Sequence, residues 1–558
     1  MAGFYDAPQC IPRSLTKARM LDRLNALYPV RYTAFALCVL IALLSLFAWV
    51  ITGEGGLLFL VFAGLSAVGV WDVRQTKSSV LRNYPVIGHL RFMLEKIRPE
   101  IRQYFLENDT EATPFSRSQR SLAYARAKGE TDKRPFGSQL DMNADGHEWL
   151  NHSMQPSALS THDFRVLIGG DACKQPYDAS IFNISAMSFG ALSANAIQAL
   201  NAGAQRGRFA HDTGEGSISA WHRLHGGDLI WEIGSGYFGC RDENGHFSPE
   251  RFQANAMDAQ VKMIEIKLSQ GAKPGHGGVL PGPKVTPEIA AARGVQVGVD
   301  CVSPASHSAF STPLEMMHFI AQLRELSGGK PVGFKLCIGH PWEWFAIVKA
   351  MLETGVRPDF IVVDGAEGGT GAAPLEFTDH VGAPLQEGLR LVHNTLVGVN
   401  LREHIKVGCA GKVVSAFDIV RALAIGADWC NSARGFMFAL GCIQAQSCHT
   451  GHCPTGVTTQ DPVRQQALVV PDKAERVFHF HQNTLMALQE LVQAAGLQHP
   501  SQITSHHLVR RVSENEVRLL ANLLPSTPPG ALLTDLAAQH AVFTTYWERA
   551  SAQRFGLA

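Results

Sequence analysis

Three cysteines lie close together in the segment GCIQAQSCHTGHCPTG. Cys442, Cys448 and Cys453 follow C-x5-C-x4-C spacing, in a segment that also holds glycine, glutamine and proline. Thiolates are the soft donors that iron–sulfur clusters and zinc require. Zinc normally takes four ligands, so it would need His449 or His452 as well. Three thiols therefore favour a [3Fe-4S] cluster.

Other roles for these cysteines stay open. Three small apolar residues can share a loop for packing alone. A disulfide framework is less favoured, because the eleven cysteines of the chain are otherwise scattered. Cys430 or Cys240 could add a fourth ligand.

Eight short β-rich segments alternate with helix-like segments from about residue 180 onwards. This alternation predicts an α/β fold, a (β/α)8 TIM barrel. An open doubly wound sheet is the alternative, and it is disfavoured because no strand–GxGxxG–helix fingerprint opens the region. The region after residue 457 reads as mainly helical and is expected to pack outside the barrel. The predicted strands are 182–188, 209–213, 262–268, 295–301, 332–337, 360–364, 405–409 and 428–432.

Loops that follow barrel strands carry the chemistry of such enzymes. Glycines and a cation after the last two strands are typical of a phosphate site. Lys267 and Lys335 end two other strands, where an ammonium beside the N1–O2 edge of a flavin stabilises the reduced ring. Alternatively, both lysines are paired with buried carboxylates such as Glu265 or Asp364. Together the lysines and the phosphate-like loops favour FMN.

The N-terminal region contains two apolar stretches. Residues 33–51 carry no charge and are long enough to cross a bilayer, and residues 57–71 form a second, shorter run. Basic residues flank the pair on both outer sides, which predicts an inner-membrane helical hairpin with both ends and the catalytic body in the cytoplasm. The second run could instead be re-entrant, and a buried soluble hairpin is the alternative to both. A cleaved signal peptide is disfavoured, because the first run starts late and a second follows.

Several motifs, in this order, resemble the FMN-binding synthase domain of glutamate synthases. They are NISAMSFGALS, DTGEG, EIKLSQGAKPGHGG, VGFKLCIG, DGAEGGTGAAP and CHTGHCPTGVTTQDP, and the resemblance covers about residues 135–465. It implies a (β/α)8 barrel that carries FMN and a [3Fe-4S] cluster held by the three cysteines. It also implies reduction of 2-iminoglutarate, formed from 2-oxoglutarate and ammonia, to L-glutamate.

The resemblance also implies roles for individual residues. Glu215 matches the carboxylate of a TGEGG-type loop, which reads TGEGS here, and Gln270 and Lys273 match residues that meet flavin or the 2-oxo acid. Arg293 corresponds more loosely to an arginine that binds substrate carboxylate. The residues expected to hold FMN are Ala186, Met187, Ser188, Lys267, Lys335, Gly369, Gly371, Gly411 and Arg434.

The remaining expectations concern organisation and partners. The predicted regions are 1–32 (cytoplasmic segment), 33–73 (hairpin), 74–165 (juxtamembrane), 166–455 (barrel) and 456–558 (extension). No counterpart of the glutaminase or β-helix domains is visible, so ammonia is expected from solution or a partner, and electrons from a separate protein. Basic and acidic residues are equal in number, 49 each, so the chain has no net positive charge that would attract nucleic acid. The sequence does not indicate an oligomeric state.

Three other functions remain in view. A membrane-tethered amine or amino-acid dehydrogenase could pass electrons to quinone or a carrier. A non-catalytic membrane scaffold would be expected to lose the lysines or cysteines, and both are present. A 2-hydroxy-acid oxidase barrel is disfavoured by the cysteine triplet.

Overall fold

The computed structural model describes residues 30–111 and 113–557. The chain divides into two compact units, Met1–Glu107 and Asn108–Ala558. Most of the predicted cytoplasmic segment 1–32 lies outside the described residues, as do the basic residues expected to precede the hairpin, except Arg31 in the turn Val30–Tyr32.

The first unit contains two apolar helices, Thr33–Thr52 and Gly56–Arg74. They are joined by a turn in which Gly53 and Gly55 adopt positive φ angles of 76° and 95°. The second helix is longer than the predicted run: its 19 residues span about 28 Å, close to the ~30 Å hydrocarbon core of a bilayer. By length and composition, both helices could cross a membrane.

A third long helix, Gly88–Ile101, follows this pair within the same unit and is called the third helix below. A short helix, Ser79–Asn83, leads into Gly88–Ile101, which continues as a π-helical turn over Arg102–Leu106. The buried carboxylate of Asp72 accepts a hydrogen bond from the backbone N–H of Val86 at 2.9 Å and contacts His89 Nε2 at 2.9 Å. These contacts fasten the start of the third helix to the end of the second apolar helix.

The second unit is built on a closed barrel of eight parallel strands. The barrel closes where the last strand pairs with the first, Cys430 lying opposite Phe182. Apolar side chains fill the strands and the helices around them, so the barrel and its helices share one core. The strands are β1 (Phe182–Ile184), β2 (His211–Asp212), β3 (Leu229–Ile233), β4 (Val261–Lys267), β5 (Val332–Leu336), β6 (Phe360–Asp364), β7 (Lys406–Ala410) and β8 (Trp429–Ser432).

The predicted barrel is therefore confirmed, but one strand was wrongly placed. Residues 295–301 were predicted as a barrel strand, yet no strand covers 295–300. Val297 and Val299 are about half exposed, so their alternation belongs to a surface loop. Only Cys301–Ser303 is extended there, and it pairs with Gly278–Leu280 outside the barrel. The strand that was missed is β3.

Helices surround the barrel and continue into the C-terminal extension. The extension is mainly helical, as predicted, and its longest helix packs on two earlier helices, Ala194–Gly207 and Arg117–Lys128. It also holds a hairpin, Leu508–Ser513 with Glu516–Leu519, whose first strand pairs with Glu148–Leu150 ahead of the barrel. A second antiparallel pair, Arg165–Ile168 with Tyr177–Ser180, directly precedes β1. The helices of this unit are Arg117–Lys128, Ala194–Gly207, Ala220–Arg223, Pro249–Ala256, Pro287–Arg293, Pro313–Leu326, Pro341–Thr354, Leu375–His380, Leu385–Gly398, Ala416–Ala424, Arg434–Leu440, Pro462–Gln466, Val470–Ala494, Leu520–Leu523, Ala531–Thr534 and Ala541–Tyr546.

Candidate functional site

A buried lysine lies among three carboxylates inside the barrel. Lys335 on β5 contacts Glu232 of β3 and lies 3.2 Å from Glu265 Oε1 of β4. Carboxylate oxygens of Asp212, Glu232 and Glu265 lie within 4.8 Å of one another. Burial alone would lower the pKa of Lys335, but the three carboxylates hold it well above its usual value. Of the two partners proposed for this lysine, Glu265 is the one in contact.

The same crowding raises the pKa values of two of these acids, Asp212 and Glu265. Burial, followed by the neighbouring charge of Glu232, raises the pKa of Asp212 to about 7. Burial, with Asp212 and Glu232 nearby, raises the pKa of Glu265 well above its usual range. Burial and mutual repulsion therefore favour the protonated forms of Asp212 and Glu265, which reduces the negative charge that Lys335 must balance.

A second charged group occupies the loops that follow β2 and β4. Lys267 Nζ lies 3.0 Å from Glu215 Oε2 and donates to Gln270 Oε1 at 2.6 Å. Lys273 faces the same space: a Cβ added to Gly278 would meet both Lys273 Nζ at 3.3 Å and Glu215 Oε1 at 3.5 Å. The structure thus brings together four residues that were predicted to form the site.

Glu215 is strongly ionised in this setting. Burial would raise its pKa, but the ammonium groups of Lys267 and Lys273 lower it to about 2. Burial lowers the pKa of Lys273, although Glu215 opposes that effect. Lys267, Lys273 and Arg293 act on Glu215, and Lys267 also acts on Asp364. Three cations therefore face two carboxylates, which leaves an excess of positive charge for an anionic ligand.

Arg293 lies beside this group, but its guanidinium is engaged elsewhere. It is buried, donates from Nη2 to the carbonyl of Phe189 at 3.1 Å and lies 5.0 Å from the ring centroid of Phe238. Its charge helps to lower the pKa of Glu215. Arg293 thus holds the turn after β1, and the predicted direct contact with a substrate carboxylate stays a prediction.

The turn after β1 contains Ala186, Met187 and Ser188. Ala186 and Ser188 are half-buried and Met187 is buried. Gly214, with φ at +63°, is pressed against this turn, since an added Cβ would lie 2.6 Å from the backbone nitrogen of Ser188. The close approach requires glycine and brings the loop bearing Glu215 onto the first strand's turn.

The predicted phosphate-loop residues lie in three separate places. Arg434 Nη2 donates to the carbonyl of Gly369 at 2.9 Å, so these two residues are in contact. Gly411 packs against Leu385, where an added Cβ would lie 2.9 Å from the leucine Cβ. Gly371 contacts the cysteine loop instead.

The cysteine loop follows the helix Arg434–Leu440. The three thiols are near enough to act on one another: burial raises the pKa of Cys442, and Cys448 and Cys453 add to that rise. Burial also acts upward on Cys453, but hydrogen bonds from Thr455 and Thr458 lower its pKa to about 7. The three sulfurs do not form a set within 4.8 Å of one another among the described residues. They are thus more widely spread than one small ion would require.

The cysteine loop lies against the mouth of the barrel. A Cβ added to Gly371, in the loop after β6, would lie 3.3 Å from Cys448 Cβ. Lys284 Nζ donates at 2.7 Å to the backbone carbonyl of the residue that follows Cys448. At the far end of the loop, Gln460 Nε2 donates to the carbonyl of Gly190 at 3.1 Å. The thiol loop and the charged loops therefore share one rim.

Sequence reasoning missed several residues of the site. Asp212 and Glu232 complete the buried cluster. Asp212 lies within the predicted strand 209–213, where a carboxylate among apolar residues was a usable signal, whereas Glu232 lies in β3, which was not predicted. His307 was also missed: its Nε2 lies 2.9 Å from the carbonyl of Lys267, and its Nδ1 lies 3.0 Å from Tyr237 Oη. Nothing in the local sequence connected His307 with Lys267, 40 residues earlier.

Comparison with known proteins identifies the class. Residues 152–498 match the family model described as the conserved region in glutamate synthase. The chain is 38% identical over 493 residues to the glutamate synthase large subunit-like protein YerD of Bacillus subtilis, covering 81% of this chain and 94% of YerD. It therefore belongs to the glutamate synthase family, and it is an oxidoreductase of the class that acts on CH–NH2 donors.

More distant relatives carry more specific names. The chain is 33% identical over 314 residues to the archaeal-type glutamate synthase [NADPH] of Thermotoga neapolitana, and 35% identical over 316 residues to the archaeal glutamate synthase [NADPH] of Methanocaldococcus jannaschii. Each alignment covers 56% of this chain, and 59% and 58% of the respective relative. The chain thus spans less than two thirds of these two proteins.

Proposed function

We propose that this protein reduces 2-iminoglutarate, formed from 2-oxoglutarate and ammonia, to L-glutamate. FMN and a [3Fe-4S] cluster would serve as cofactors, and a separate protein would supply the electrons. The observation that carries the proposal is the cluster of cations at one rim, where Lys267 and Lys273 lie around the carboxylate of Glu215 beside a loop of three cysteines.

The charges suit a dicarboxylate substrate. Two ammonium groups partly balanced by one carboxylate can hold a 2-oxo diacid by charge-assisted hydrogen bonds. Because burial lowers the pKa of Lys273, its Nζ releases a proton more readily than a solvated lysine would, as a general acid requires. Glu215, ionised throughout the neutral range, would hold an ammonium ion or keep Lys267 in place.

The residues at the rim fit FMN. Lys267, Gln270 and Arg434 are half-buried and accessible from the mouth. At Gly369, an added Cβ would lie 3.7 Å from the Arg434 guanidinium, so glycine keeps the space beside that cation open for an anion. Ala186, Met187, Ser188, Lys335, Gly371 and Gly411 would complete the site. When bound, FMN supplies hydride transfer.

The cysteine loop fits an iron–sulfur cluster better than a single ion. Thiolates are the donors that such clusters need, and the pKa of Cys453, at about 7, makes its thiolate available near neutral pH. Cys442, Cys448 and Cys453 are not grouped within 4.8 Å of one another in the described structure, and a cluster of several iron atoms would span such a separation. Contact of this loop with Gly371 would keep the cluster close to the flavin.

The test is anaerobic reduction of the purified protein with dithionite, followed by 2-oxoglutarate and ammonium. We expect the flavin absorbance to return and L-glutamate to form only when both compounds are present. A flavin that stays reduced would contradict the glutamate assignment.

A matched pair of variants locates the activity. Lys273→Met removes one ammonium of the rim and should abolish reoxidation by 2-oxoglutarate with ammonium. Lys262 lies at the opposite end of β4, where its ammonium is 3.6 Å from Asp228. The rate of flavin reoxidation in Lys262→Met should equal that of the wild type. Equal rates for both variants would contradict the role given to Lys273.

The two apolar helices favour a second candidate. Helices of this length would tether the protein to a membrane, with the barrel in the cytoplasm. The protein would then oxidise an amine or amino acid and pass the electrons to a membrane carrier such as a quinone. Bleaching of the oxidised flavin by an amine or amino acid, with transfer to a quinone analogue, would favour this direction. Release of the protein from membranes by alkaline carbonate would contradict the tether.

A further inference from the structure

The third helix of the first unit exposes a continuous apolar stripe. Leu90, Met93, Leu94 and Ile97 recur at i, i+3, i+4 and i+7, which places them on one face of a helix. Each is between 40% and 52% exposed. The stripe continues into the π-helical turn, where Phe105 is 81% exposed. A run of this kind on a soluble surface marks an interaction site.

A row of cations borders the stripe. Arg91, Arg98 and Arg102 follow one another at seven- and four-residue spacing along one flank of the helix. Arg91 Nε pairs with Glu95 at 2.9 Å and Arg102 Nε lies 3.8 Å from Glu107 Oε1, and both arginines are more than half exposed, so they can exchange these partners for lipid phosphates. Across residues 74–106 the chain has seven basic and two acidic residues, a net charge of +5 with histidine neutral. Long basic side chains beside an apolar stripe are typical of helices that lie in the headgroup region of anionic membranes.

The helix is also fastened to the expected membrane boundary. Trp71, near the end of the second apolar helix, is 72% exposed, as interface tryptophans are. The next residue, Asp72, bonds to Val86 N and contacts His89 at the start of the third helix. The stripe therefore begins next to the end of a helix that could cross the bilayer.

We infer that Gly88–Ile101, together with the turn Arg102–Leu106, lies in the plane of an anionic membrane surface. Its apolar stripe enters the boundary between headgroups and acyl chains, and Arg91, Arg98 and Arg102 contact lipid phosphates. This inference rests on the proposed membrane tether, and it adds a specific contact with acidic lipid to it.

The test uses the full-length protein in vesicles of phosphatidylcholine mixed with phosphatidylglycerol. Photoreactive p-benzoylphenylalanine replaces Leu94 in one variant and Glu95, on the polar side, in the other. After irradiation, mass spectrometry should find mainly lipid adducts at position 94 and few at position 95. Adducts of position 94 with this chain or with a second copy would overturn the inference.

Two further measurements separate the inference from the tether. Resistance to alkaline carbonate tests the tether alone, so a protein that resists extraction yet gives no lipid adduct at position 94 refutes only the inference. Replacing Arg91, Arg98 and Arg102 together by glutamine should lower the adduct yield at position 94 in the mixed vesicles. In phosphatidylcholine alone the same replacement should change little. An unchanged yield in mixed vesicles would contradict the contact with acidic headgroups.

Discussion

Replacing Lys335 by methionine would remove a cation that contacts two buried carboxylates. In the described structure its Nζ contacts Glu232 and lies 3.2 Å from Glu265. Methionine has nearly the same length but no charge. The variant would therefore keep the packing inside the barrel and leave the acids without their partner.

The magnitude follows from the burial of all the groups concerned. Lys335 is 4% exposed, Glu232 2% and Glu265 0%. Removing one partner of a buried ion pair costs about 3–5 kcal/mol, because the remaining charge is left without compensation. We expect a loss of that size in the free energy of unfolding at neutral pH.

The loss should depend on pH in a defined direction. The pKa of Asp212 is about 7 in the folded protein, above its value near 4 in an unfolded chain. Between those values the folded state binds more protons, so stability falls as pH rises, by about 1.4 kcal/mol per pH unit for each proton. Without the ammonium of Lys335 the folded pKa values rise further, and the window extends to higher pH. The penalty of the variant should thus be smaller near pH 5 than near pH 8.

Urea unfolding in detergent, followed by circular dichroism at several pH values, measures this effect. Lys330→Met is the matched control: Lys330 is 5% exposed, but its Nζ donates to the carbonyls of Ala256 and Asp258 rather than to carboxylates. We expect the control to lose about 1–3 kcal/mol from unpaired carbonyls, with no relief at low pH. A loss below about 1 kcal/mol for Lys335→Met, or one that does not change with pH, would refute the reasoning.

Three further predictions concern the rim. Glu215→Gln removes a carboxylate with a pKa of about 2. The wild-type carboxylate contributes stability above about pH 4.5, and this stability is lost as pH falls towards 2. Unfolding curves should therefore show the variant to be less stable than the wild type at neutral pH and nearly equal to it near pH 2. Cys453→Ser should remove most of the iron measured by atomic absorption and the signal of the oxidised cluster in electron paramagnetic resonance, whereas Cys173→Ser, whose thiol donates to a backbone carbonyl elsewhere, should leave both unchanged. Gly371→Ala places a Cβ 3.2 Å from the cysteine loop backbone and should reduce iron content more than flavin content, whereas Gly339→Ala, with nothing within 4 Å of its added Cβ, should alter neither.

The barrel could be predicted because seven of its strands have apolar runs that end in glycine or charge. The strand that was missed, β3, has the sequence LIWEI, and all five residues are buried, including Glu232. Glu232 alone does not explain the miss, because β4 holds the buried Glu265 and was predicted. The compensation of Glu232 by Lys335 comes from another strand, β5, and is visible only in three dimensions. Residues 295–301 show the opposite case, in which alternating valines belong to an exposed loop.

The candidate site was predicted in part, and the reason is again three-dimensional. Glu215, Lys267, Gln270 and Lys273 were expected together, and the structure brings them together. The orientation of Arg293 towards a backbone carbonyl depends on how the loop between β4 and β5 folds back, which no spacing in the sequence specifies. The partners of Lys335 were only half predicted for the same reason.

The small sheet outside the barrel has a consequence for truncated chains. Glu148–Leu150 pairs with Leu508–Ser513, and Arg510 also contacts the Glu148 carboxylate through Nε at 2.7 Å. The region shared with the family ends at residue 498. A chain that ended there would lose the hairpin that pairs with Glu148–Leu150, and proteases would then gain access to this segment ahead of the barrel.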